Sequence, residues 1–193
     1  MADSLLWNEA KTRALLIDAM LLQAGWDVSN PAQVGLEVDV DFPDNVSGKG
    51  RADYVLWGDN GQPLAVIEAK KSGNVSLQAG REQARMYADG FARMGMQRPV
   101  IFYSNGYETF IWDDKQYNTY RPVCGIYSKD SLEYLAYQRQ YRDPEPERFN
   151  PDLSIADRDY QIEAIKTVAK HFQDQRRKAL IIQATGTGKT RVA

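Results

Sequence analysis

Asp53, Glu68 and Lys70 are the residues whose types and spacing can do chemistry. The stretch LAVIEAKKSG (64–73) starts as an apolar run and ends in a carboxylate and two lysines. Side chains two apart on a strand share a face, so Glu68 and Lys70 point the same way. A turn centred on Asn60-Gly61 sets Asp53 directly across from Glu68 on the preceding strand. Facing residues on antiparallel strands have Cβ atoms ~4.5–5.5 Å apart, a distance at which two carboxylates repel. A divalent cation relieves that repulsion, and magnesium is commonly held by one or two carboxylates together with substrate phosphate. Lys70 adds a positive charge at the same spot. There it can orient or activate a water, or stabilise charge building on phosphate.

An acid, any residue, then lysine is a cheap pattern, and it occurs three times: Glu9-Ala10-Lys11, Glu68-Ala69-Lys70 and Asp113-Asp114-Lys115. The first lies in a predicted helix, where residues two apart do not share a face. The third follows a predicted strand, and a turn at Asn105-Gly106 sets Arg98 opposite Asp113 as an ordinary surface ion pair. Only the second has an acid facing it. The bland alternative is a solvated strand end with charges on it. Pro63 is the weak point, because a shift of one residue in the turn would send Glu68 to the other face.

The elements that must position these groups are readable around them. Residues 4–24 predict a helix, with Ser4 as its cap and Gly25 as its stop. Residues 35–42 and 52–57 predict strands, separated by the basic loop SGKGR (47–51). ADYVLW, GDNGQP and LAVIEAK form a strand–turn–strand signature. Residues 76–94 predict a helix from Ser76, interrupted in composition by Gly80 and Gly90. Residues 99–112 predict a second hairpin, and 129–141 a short helix. The segment RDPEPERFNPD (142–152) carries three prolines and little to bury, which is the composition of a linker.

Beyond it, Tyr160, Ala164, Ile165, Val168, Ala169 and Phe172 fall at helical spacing. The short apolar run KALII, predicted as a buried strand, then leads into QATGTGKT. Gly186 and Gly188 let backbone N–H groups approach phosphate, Lys189 would reach the β and γ phosphates, and Thr190 would hold magnesium. With 193 residues, 43% hydrophobic and 26% charged, the chain can bury one or two cores. No apolar run approaches the ~20 residues needed to cross a bilayer, so no membrane partner is expected. One cysteine and one histidine exclude a disulfide framework and a zinc site and suit a reducing cytoplasm, with Cys124 taken as a packing residue and His171 as an ordinary helix residue. A net charge of −2 means that any nucleic acid must be held by local basic groups and metal ions.

Asp53 followed fifteen residues later by Glu68-Ala69-Lys70, after a helix bearing Glu9, resembles the PD-(D/E)xK nuclease superfamily, although residue 52 is alanine. Gln83 and Tyr87, four apart in QARMY, resemble the Gln-x-x-x-Tyr of the nuclease domain of type I restriction enzyme motor subunits and of RecB-like nucleases. YQIEAI with Gln161, followed by ATGTGKT, resembles the opening of a superfamily-two helicase motor. The resemblance implies an α/β fold: a mixed central sheet flanked by helices over 1–141, a linker over 142–152, and the truncated start of a RecA-like motor over 153–193. It implies that Asp53, Glu68 and the Ala69 carbonyl bind magnesium, with Glu9 reaching the metal directly or through water. Lys70 would be the catalytic lysine, Gln83 and Tyr87 would support the active site or the DNA backbone, and Gln161 would read adenine.

The activity so implied is magnesium-dependent endonucleolytic cleavage of double-stranded DNA by a cytoplasmic restriction complex with methylation and specificity subunits. ATP would drive translocation in the full-length protein, while residues 1–193 are expected neither to bind it usefully nor to hydrolyse it. Two alternatives stay open, a RecB-like repair nuclease–helicase and a non-catalytic DNA-binding or coupling module for the motor.

Overall fold

A computed structural model describes residues 13–41, 48–70, 77–141 and 151–192. Glu9, the Ser4 and Ser76 caps, and 142–150 of the expected linker lie outside those residues. The chain divides into two compact units, one within 1–114 and 120–140, the other within 115–119 and 141–193.

The first unit is built on a six-stranded sheet whose strands lie in chain order: β1 (Val34–Asp41), β2 (Lys49–Trp57), β3 (Pro63–Ala69), β4 (Val100–Ser104), β5 (Thr109–Trp112) and β6 (Arg121–Val123). β3 and β4 are parallel, and every other neighbouring pair is antiparallel. A parallel pair needs a crossover, and the helix α2 (Leu77–Arg93) supplies it. The N-terminal helix is a π-helical turn, Arg13–Ile17, continuing as α1 (Asp18–Gln23), and α3 (Lys129–Tyr141) follows the sheet. This is the mixed sheet flanked by helices that the family resemblance implies.

Each face of the sheet carries its own core. On one side Ile17, Leu21, Trp26 and Leu132 pack over Tyr54, Leu56, Ile67 and Phe102. On the other, Ala84, Tyr87, Ala88 and Phe91 of α2 pack over Val55, Val66 and Ile101. All seven residues of β3 are buried, because a strand paired on both edges and covered on both faces has no solvated side. That explains why its sequence is an apolar run rather than an alternation.

The β1–β2 ribbon turns a corner. Val34 belongs to the first core, whereas Val38 and Val40, at the same parity, face the second. Tyr54 and Ala52 on β2 switch in the same way. Between them Glu37 has φ +49°, a left-handed backbone that only a few per cent of non-glycine residues adopt. The corner folds the outer arm of the ribbon against α2: a Cβ added to Gly90 would lie 2.4 Å from the Asp41 carbonyl oxygen. The glycine that weakens the helix pattern is thus the one that admits a crossing backbone.

Three local expectations are corrected. The second hairpin pairs Ser104 with Thr109, so its loop holds four residues rather than two. The Asn105 side chain accounts for this, since its Oδ1 accepts the N–H groups of Tyr107 and Glu108 and wraps the longer loop. Arg98 therefore does not face Asp113. It pairs instead with Asp114 and Asp89, while Asp113 is buried against Arg139 of α3. Cys124 is exposed rather than packed. The strand β6 went unforeseen, being three residues long with a proline at its centre.

The second unit contains α4 (Asp159–Gln173), a short 3₁₀ turn at Lys189–Arg191, and an extended stretch between them. KALII is not a strand here. Leu180 and Ile182 are 85% and 86% exposed, and among the described residues no strand pairs with theirs. An apolar run becomes a strand only when a neighbour satisfies its backbone.

Candidate active site

The first hairpin keeps the register that the Asn60-Gly61 turn predicts. Tyr54 pairs with Ile67, Val55 with Val66 and Leu56 with Ala65, and the irregularity that Pro63 threatened is confined to a shift between Leu56 and Trp57. Asp53 and Glu68 are the next positions outward along that ladder. Asp53 is half-buried, and its Oδ2 accepts the Ala69 N–H at 2.8 Å, a bond that fixes the carboxylate to the end of β3. Glu68 is 3% exposed. Burying a carboxylate is costly unless a positive charge answers it. Lys70 does so, with its Nζ 2.7 Å from Glu68 Oε1.

A relay of side chains continues from there. Lys70 Nζ also donates to Gln83 Oε1 at 2.7 Å, and Gln83 Nε2 donates to the Tyr87 hydroxyl at 2.7 Å. Gln83 and Tyr87 are one helical turn apart on α2, so the helix delivers both to the same side of the sheet. Burial pushes the Tyr87 phenol up; the Gln83 hydrogen bond opposes this, and the charges of Glu68 and Asp53 add to it. Both carboxylates therefore act on the same hydroxyl. Gly80 completes the arrangement, because a Cβ there would come within 2.9 Å of Lys70 Cγ. The lysine stem runs where any larger residue would stand.

Asp53, Glu68, Lys70, Gln83 and Tyr87 thus come together at the end of β3, and Ala69 joins Asp53 through its N–H. Two carboxylates, with the Ala69 backbone carbonyl following the second of them on the chain, are an oxygen donor set of the kind magnesium takes. Among the described residues no group of three or more histidine, cysteine or acidic side chains gathers at one point, so the metal fit rests on this pair. Tyr103 is a neighbour that sequence reasoning missed. Its position on β4 is paired with Glu68, and only the parallel register, which no turn announces, could have revealed it.

In the second unit Gln161 is buried and its Nε2 donates to the Thr187 carbonyl at 2.9 Å. The Tyr160 hydroxyl donates to the same carbonyl at 2.9 Å. Gly186 and Gly188 have φ of +81° and +78°, and Lys189 and Thr190 begin the 3₁₀ turn. A Cβ on Gly188 would meet Gln161 Nε2 at 2.6 Å. Gln161 and the glycine loop are therefore brought together, with the amide directed at the loop backbone. An open cavity of about 520 Å³ within the same unit is lined by α4 residues such as Glu163, Thr167 and His171 and by 179–184.

Comparison with known proteins adds a context. Residues 36–120 match the family described as the type I restriction enzyme R protein N terminus, and residues 154–193 match the type III restriction enzyme res subunit. The endonuclease subunit of the type I restriction enzyme EcoAI from Escherichia coli is 30% identical over 196 residues, covering 90% of this chain and 23% of that protein. The corresponding EcoKI subunit from E. coli strain K12 is 28% identical, covering 96% and 21%. The chain thus spans less than a quarter of the length of either relative. A solved fragment described as an HsdR subunit of a type I restriction enzyme from Vibrio vulnificus YJ016 superposes with a TM-score of 0.55 at 25% identity, over 98% of this chain and 37% of that one.

Proposed function

We propose that the first unit of the chain, whose residues 36–120 match the type I restriction enzyme R protein N-terminal family, cuts DNA by metal-assisted hydrolysis of a phosphodiester. The observation that carries this reading is the hydrogen-bonded line Glu68–Lys70–Gln83–Tyr87 lying beside Asp53. Asp53, Glu68 and the Ala69 carbonyl would hold magnesium, whose charge neutralises the phosphate and activates a water. Lys70 is held by two acceptors, so its ammonium stays at one place without reorganisation while charge accumulates on phosphorus-bound oxygen. Gln83 receives its own constraint from Tyr87, which fixes the amide in the orientation that accepts from lysine.

The second unit, matching the res subunit family, belongs in this reading to an ATP-driven motor of the complete protein. Double-stranded DNA is the substrate, and specificity and methylation subunits are the partners that supply the target. No described helix is long and apolar enough to cross a membrane. The test uses the full-length protein assembled with its partners. Asp53→Asn and Lys70→Ala should each abolish DNA cleavage while ATP hydrolysis continues, and cleavage without added magnesium should be absent. Normal cutting by both variants would remove the assignment.

A further inference from the structure

We propose that Arg81 is a DNA-phosphate contact next to the cleavage site, pre-ordered by the ring of Tyr120, an inference that rests on the nuclease reading above. Two lines of geometry bring this pair to the site. Along α2, Arg81 directly follows Gly80, the residue against which the Lys70 stem lies. Across the sheet, Glu68 is paired with Tyr103, and Tyr103 with Phe110. Phe110 is therefore two strand spacings from Glu68, roughly 10 Å. Along duplex DNA, that is about three base-pair steps.

The rings form a shelf at that distance. Tyr103 and Phe110 stack with centroids 5.1 Å apart and planes 8° apart. Tyr120 meets both edge-on, at 5.8 and 5.7 Å. The Arg81 guanidinium carbon sits 5.4 Å from the Tyr120 ring centre, within range of a cation–π attraction. Glu82 takes both Arg81 Nε and Nη2 on its Oε1, at 3.0 and 2.6 Å. The guanidinium is thus held between a ring and a carboxylate, and it remains partly exposed. Such a held fork loses little freedom when it meets a phosphate, and its planar donors suit phosphate oxygens. Tyr120 is more exposed than Tyr103 or Phe110, so the shelf is open at its outer end. In a chain of net charge −2, DNA must be gripped by placed cations of this kind.

The experiment measures affinity of the full-length protein for a short duplex as a function of salt, without magnesium, alongside cleavage by the assembled enzyme. Arg81→Ala should weaken binding several-fold and lower the slope of log affinity against log salt by about one. Tyr120→Phe, which keeps the ring, should behave as wild type, and Tyr120→Ala should weaken binding without changing the slope. Glu82→Gln, which removes the competing carboxylate, should strengthen binding. Lys70→Ala separates the two readings through cleavage: it should not cut. A cutting Lys70→Ala overturns the nuclease assignment. A dead Lys70→Ala beside an Arg81→Ala whose slope matches wild type overturns the phosphate contact, including the case where Arg81→Ala merely lowers the melting temperature.

Discussion

LAVIEAK and KALIIQA are two apolar runs that each lead to a lysine-bearing motif, and they have opposite fates. The first is β3, paired on both edges and buried throughout. The second forms no ladder among the described residues and leaves Leu180 and Ile182 in solvent. Their compositions hardly differ. What differs is the company: β3 has an antiparallel partner supplied by a local turn and a parallel one supplied by α2, while 178–184 has neither among the described residues. Strand character is a property of the neighbours as much as of the residues.

Four measurements would break or sharpen that contrast. The largest effect is expected from Arg98→Ala in the first unit, which strands the half-buried Asp114 and strips Asp89 of its partner. Breaking such a pair costs about 3–5 kcal/mol, read as a fall in the denaturation midpoint. Arg191→Ala in the second unit removes a pair that is more than half exposed and should cost about 0–1 kcal/mol. Next, Ile67→Ala in β3 should cost about 2–5 kcal/mol, and Ile182→Ala should stay within about 0.5 kcal/mol. Equal losses at the two isoleucines would mean that the exposed run is packed in solution.

Smaller effects come from the two glycines of α2. Gly90→Ala pushes a methyl against the Asp41 backbone and should destabilise by about 1–3 kcal/mol. Gly80→Ala meets only a flexible lysine stem, so a helix gain of about 1 kcal/mol should offset its strain. Cleavage by that variant should nevertheless fall about ten- to a hundredfold, because Lys70 is displaced. The smallest effect is on pH. Burial pushes the phenols of Tyr87 and Tyr103 upward, with the nearby Arg81 charge opposing this at Tyr103. The stability they contribute is complete below about pH 10, the unfolded tyrosine value, and declines as alkali rises beyond it. A tyrosinate absorbance titration should show Tyr87 and Tyr103 titrating late, and Tyr103→Phe should diminish that late step.

Much of the site was legible because its logic is local. A turn residue pair fixed the β2–β3 register through Leu56, and helical spacing placed Gln83 beside Tyr87. The Arg98 partnership was misread because Asn105 enlarged its hairpin loop through side-chain bonds that a two-residue turn does not anticipate. Tyr103 and the shelf beyond it depend on parallel pairing across a whole helix, which leaves no local mark. The fate of KALII depended on partners outside the segment itself. Gly80 and Gly90 read as blemishes in a helix until the lysine stem and the crossing arm gave each a reason.

The left-handed Glu37 opposite Asp53 has an engineering consequence. Because the ribbon pivots there, the acid is anchored on the inner side of the pivot by Ala69, and the arm beyond it is a panel folded from that joint onto α2. Glycine at position 37 would make the joint easier to form, at the risk of letting the panel swing.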